Sequence, residues 1–120
     1  MNNKIKKLEY LEKGGKIFED QRGKIVNYSL PEKINLVATI TSKPNTLRSN
    51  HYHPVQQQKC LLVKGQYVSV YQDLSLTNAP KITHIINEGD LAVTEPQVAH
   101  TMVFTKESIF LNLVNGEREH

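Results

Sequence analysis

The chain has no tryptophan, a single cysteine and no long apolar run. One thiol cannot form an internal bridge, so a disulfide scaffold is excluded. Cys60 lies in Cys60-Leu61-Leu62-Val63 and reads as a small buried group rather than a reactive thiol. The 120 residues must therefore build their own core. A single domain over 1–120 would hide roughly 65% of its unfolded surface. No stretch approaches the ~20 apolar residues of a membrane span, so no membrane partner is expected. The lone cysteine and the lack of a secretory signal point to the cytoplasm. Charge of one sign is scarce too. Fifteen Lys and Arg face twelve Asp and Glu, for a net +3. Only Lys4, Lys6 and Lys7 cluster, which is too little to track a nucleic-acid backbone. A mild positive balance suits small anionic substrates.

Helical periodicity is also missing. Alternation with a period of two recurs instead, as in Ile34, Leu36, Ala38 and Ile40 facing one way against Asn35, Val37 and Thr39. Residues 1–13 read as an arm that adds an edge strand. Lys16–Asp20 and Lys24–Leu30 read as a hairpin around Gln21-Arg22-Gly23. Further strands are predicted at Lys33–Thr41, Leu47–His53, Gln57–Lys64, Tyr67–Gln72, Lys81–Ile86, Leu91–Thr94, Ala99–Thr105 and Ser108–Val114. About ten short strands separated by Gly, Pro and Asp turns indicate a sandwich or barrel.

The chemistry-bearing stretch is Arg48 to Gly65. His51 and His53 alternate about Tyr52, so a strand would present both imidazoles on one face, with Leu47 and Ser49. Arg48 then points away from them, toward packing or a neighbouring subunit, unless a bulge re-aims it. Gln58 follows His53 across Pro54, and His100 comes much later on another strand, with Met102 and Phe104 on its face. Three imidazoles and an amide form a plausible set for a divalent metal, and imidazole suits Zn, Fe, Ni or Mn alike. The same histidines could act as a metal-free acid–base set, or as hydrogen-bonded barrel residues without a ligand. Tyr67 and Tyr71 share a strand face and could donate to a substrate oxygen or simply line the wall. Met102 and Phe104 read as cavity lining or core. Arg22 reads as a turn residue or a phosphate ligand, and His84 as a surface strand residue.

These motifs resemble the cupin superfamily, a double-stranded β-helix or jelly-roll barrel. His51-Tyr-His53, four residues, Gln58, six residues and Gly65 follow the spacing of its first motif, with Gln in place of Glu. Gly89, Pro96 and His100 follow the order of the second. The match spans residues 45–105. Arg48-Ser-Asn-His-Tyr-His resembles the Arg-Gly-Asn-His-Tyr-His of the cupin domain in capsular-polysaccharide-assembling proteins. Phe18-Glu-Asp-Gln-Arg-Gly23 resembles the opening strand of dehydrorhamnose epimerases and sugar 3,4-ketoisomerases.

The resemblance implies an isomerase or epimerase acting on a nucleotide-linked keto sugar in surface polysaccharide synthesis. His51 would be the base and His53 its neighbour or co-ligand. Arg22 and Arg48 would meet the diphosphate, and a divalent metal would sit among His51, His53, Gln58 and His100. Two further readings stand beside it: a dioxygenase-like metal cupin, and a non-catalytic sugar- or metal-binding module. Exposed barrel edges and apolar outer faces lead us to expect a homodimer.

Overall fold

A computed structural model of the chain describes residues 9–12, 16–30, 32–50, 57–96 and 98–115. The described residues form eleven strands and no helix. These are β1 (Glu9–Glu12), β2 (Lys16–Asp20), β3 (Gly23–Asn27), β4 (Leu36–Ser42), β5 (Thr46–Asn50), β6 (Gln58–Lys64), β7 (Gln66–Asp73), β8 (Ile82–Asn87), β9 (Leu91–Thr94), β10 (Val98–Phe104) and β11 (Ser108–Val114). A five-stranded sheet runs β1-β9-β6-β11-β4, and a four-stranded sheet runs β5-β10-β7-β8. Every pairing is antiparallel. Strands from both halves of the chain interleave in each sheet, as a jelly roll requires. The N-terminal arm does add an edge strand, with β1 pairing β9. The β2–β3 hairpin forms a separate two-stranded ribbon.

The two large sheets face each other, because alternate residues of each strand are apolar and must leave water. Cys60, Leu62, Tyr67, Ile86, Ala92, Met102, Phe104 and Phe110 meet between them as one buried cluster. Phe104 and Phe110 stack at 5.8 Å, and Tyr67 tilts against both. The five-stranded sheet is also covered on its outer face, which explains why all four residues of β9 are buried. There Leu91, Val93 and Leu113 pack with Tyr28, Ile34, Leu61 and Leu111. Ile34 therefore belongs to this outer layer. The alternation that joined it to Ala38 and Ile40 breaks because β4 begins only at Leu36.

Two polar contacts pin that covering segment. The Tyr28 hydroxyl donates to the Gly89 carbonyl at 2.7 Å. Burial first, and the Asp90 charge second, push this phenol above its ordinary range. Lys59, with no exposed surface, donates Nζ to Glu32 at 2.6 Å. A buried ammonium is tolerated only with such a partner.

Gly65 joins β6 to β7 across the two sheets. Its φ is +103°, and a Cβ there would lie 2.1 Å from Ser108 Oγ and 2.6 Å from the Glu107 carbonyl oxygen. Gly65→Ala thus combines backbone strain with a clash against main chain, at a cost of about 2 kcal/mol or more. Chemical denaturation should show that loss, whereas a neutral substitution would contradict the turn geometry.

Candidate functional site

Directly opposed residues in a sheet share a face, so the register of the four-stranded sheet sets out its inner surface in rows. His100 pairs with Tyr71, and Tyr71 with Ile82. Arg48 pairs with Met102, Met102 with Ser69, and Ser69 with His84. Phe104 pairs with Tyr67, and Tyr67 with Ile86. On the facing sheet, Gln58 pairs with Thr94, while Cys60 pairs with both Ala92 and Asn112. Because β6 and β7 meet at Gly65, Leu62 and Tyr67 lie near that turn, while Gln58 and Tyr71 lie at the far end.

The interior is therefore graded. One end is dry, built from Leu62, Tyr67, Ile86, Phe104 and Phe110. The other carries His100, Tyr71, Asp73, Gln58 and Thr94, all buried. Buried polar groups gathered at one end of an otherwise apolar interior make that end the candidate ligand site.

The expected site residues that are described each have a place. His51 and His53 lie outside the described residues. The chain on either side of them is described, and both flanks belong to the polar end. Asn50 is the register partner of His100, and Gln58 opens β6. His100 and Gln58 are 4% and 7% exposed. Tyr71 belongs to this end and Tyr67 to the dry end, so the two tyrosines share a face but not an environment. Met102 and Phe104 are core residues beside His100.

Arg48 shares a face with Met102 by register and is exposed on the edge strand β5, while its face relative to His51 and His53 lies outside the described residues. Its guanidinium spans to β4, donating to Ser42 Oγ at 2.7 Å and the Thr41 carbonyl at 2.8 Å. It lines an open cavity of about 630 Å³ with Lys43, Thr46 and Glu107. Arg22 is committed to its turn and lies on the separate ribbon, where it donates to Asp20 at 2.6 Å. Its side-chain bond first, and its backbone N–H second, hold the Asp20 carboxyl below its ordinary value.

Two residues join the site that sequence reasoning had not placed there. His84, expected on the surface, is half-buried, with Nε2 3.1 Å from the Tyr71 hydroxyl. The two rings meet edge-on at 5.0 Å. Alternation in Ile82-Thr83-His84-Ile85-Ile86 shows that His84 shares a face with buried Ile86, which was the available signal. Asn112 is 8% exposed on a strand otherwise apolar from Ile109 to Val114, and its Oδ1 has no hydrogen-bond partner among the described residues.

For a metal, the described part of the donor set is one imidazole and one neutral amide oxygen. No group of three His, Cys, Asp or Glu able to hold an ion occurs among the described residues. The donor chemistry fits a divalent ion only when both His51 and His53 complete it.

Replacing Asn112 by Leu removes the unsatisfied acceptor and should raise stability by about 1 kcal/mol in denaturation. A loss of stability would show that the amide is satisfied within the folded protein.

No protein-family model and no curated protein matches the chain. Solved structures do. A dTDP-4-dehydrorhamnose 3,5-epimerase from Sulfolobus tokodaii superposes with a TM-score of 0.80 at 18% identity, over 98% of this chain and 76% of that one. A mutant 3,4-ketoisomerase from Thermoanaerobacterium thermosaccharolyticum, in complex with TDP-4-keto-6-deoxyglucose, gives 0.79 at 17% identity, over 97% and 86%. A 3,4-ketoisomerase from Helicobacter canadensis gives 0.77 at 19%, over 93% and 86%. Likeness of this extent at such identity is a statement about fold: the chain has the all-β jelly-roll fold that these epimerase and ketoisomerase structures share.

Proposed function

We propose that this protein isomerises or epimerises a nucleotide-linked keto sugar for surface polysaccharide, with the reaction at the polar end of the barrel. The observation that carries the reading is the gathering of His100, Gln58 and Tyr71 at one end of the barrel, with Asn50, next to His51 in sequence, in register with His100. The structural neighbours support the substrate class, since one is in complex with a TDP-linked keto sugar.

The chemistry follows from the groups. His51, as a neutral imidazole, takes the proton from the carbon beside the ketone. The electron pair moves onto the carbonyl oxygen and leaves an enolate. Returning the proton to the opposite face of that carbon epimerises it. Returning it to the old carbonyl carbon, with the neighbouring hydroxyl proton passing to the old carbonyl oxygen, moves the ketone. Tyr71 donates to the developing oxyanion, and His100 bounds the same pocket. Arg48 is the proposed diphosphate contact within this chain. His53, His51, Gln58 and His100 would hold a divalent metal, which when bound polarises the ketone oxygen.

The proposed partner is a second copy of this chain. The ribbon exposes Ile17, Phe18 and Ile25, all more than half accessible, with Phe18 and Ile25 opposed on one face and Ile17 on the other. A ribbon apolar on both faces gains stability by being covered.

Incubation with TDP-4-keto-6-deoxyglucose in deuterated water should place deuterium beside the ketone. His51→Ala should lower the rate by roughly a hundredfold or more. Binding of the sugar nucleotide without exchange would overturn the enzymatic reading and leave a binding module. Metal analysis of protein purified without a chelating column should find a divalent ion that His51→Ala/His53→Ala loses. A metal-free, active wild type would reduce the site to its imidazoles.

A further inference from the structure

The Tyr71–His84 contact has no role in the reaction as proposed above, yet it reaches the only donor given to the developing oxyanion. Tyr71 is 5% exposed on β7, directly beside His100. His84 lies one strand further on, in the adjoining row, and its Nε2 is 3.1 Å from the phenol oxygen. The edge-on ring contact fixes the imidazole plane against the phenol.

A phenol carries one proton. If Tyr71 spends it on a substrate oxygen, its own oxygen can only accept from His84. Nε2 must then carry a hydrogen, with the neutral imidazole in its Nε2–H tautomer. Donation from Nε2 turns the Tyr71 O–H away from β8. When the phenol proton passes to the substrate oxygen, the Tyr71 O–H bond breaks and a phenolate forms. The Nε2–H bond stabilises that charge without moving any atom. In the opposite tautomer Tyr71 would donate to His84 and have nothing to offer a ligand. We infer that His84 is a positioning residue for Tyr71, donating through Nε2–H so that the phenol proton is directed to the ligand. The inference rests on the keto-sugar reading for its consequence, but its geometry is independent of it.

Two measurements separate the possibilities. Long-range proton–nitrogen NMR of the histidine rings, with His84→Phe to assign the signals, reports the tautomer without substrate. The Nε2–H form is expected, with the His84 signals moving in Tyr71→Phe; an Nδ1–H form, or signals indifferent to Tyr71→Phe, overturns the inference. Turnover of TDP-4-keto-6-deoxyglucose then reports the role. His84→Phe, which keeps the ring packing, should lower kcat roughly tenfold or more, with KM within roughly twofold. His84→Gln, whose amide N–H can donate, should recover much of the loss. Unchanged kcat in a folded His84→Phe, or no recovery in a folded His84→Gln, also overturns it. If wild type turns over no keto sugar, the functional reading alone falls, and the tautomer decides the inference.

Discussion

The stacked contact of Phe104 with Phe110, with Tyr67 tilted against both, is the constraint on which the rest of the barrel depends. It joins β7 and β10 of one sheet to β11 of the other. Buried aromatic packing of this kind contributes more than its area alone. Because strand register has a period of two, fixing these residues inside fixes every other residue of the same strands. His100 faces in because Phe104 does. Tyr71 faces in because Tyr67 does. The dry end thus sets the geometry of the polar end.

A barrel that keeps polar groups in its interior must stabilise itself elsewhere. Here the second layer does so. The segment through Tyr28 and Ile34 covers the outer face of the five-stranded sheet, adding a second apolar cluster to the one between the sheets. It is tied down by Tyr28 on Gly89 and by Lys59 on Glu32. Under the proposed function the polar end is the part selected for ligands instead of stability, which is where unsatisfied groups are expected. Asn112, with an acceptor unused among the described residues, fits that division.

Most of the fold was legible because alternation and turn residues are local signals. β2, β9 and β11 fall at the expected residues, and the other boundaries that lie within the described residues shift by a few positions. What escaped depended on neighbours far along the chain. The bonds from Arg48 to Ser42 and Thr41 depend on how the edge of one sheet meets β4 of the other, which alternation within one strand does not encode. His84 was expected on the surface, and the pairing of β7 with β8 is what brings it to Tyr71. Tyr67 and Tyr71 could not be told apart by parity. Their difference is depth along the barrel, which one strand does not encode.

The central claim is that ligand enters the polar end of the barrel. Titrating TDP into isotopically labelled protein and mapping the perturbed NMR signals tests it most directly. Shifts concentrated at Asn50, Gln58, Tyr71 and His100, with Lys59 and Ile34 on the outer layer unmoved, are the predicted result. Shifts confined to the outer layer or to the ribbon around Phe18, or none at all, would contradict it.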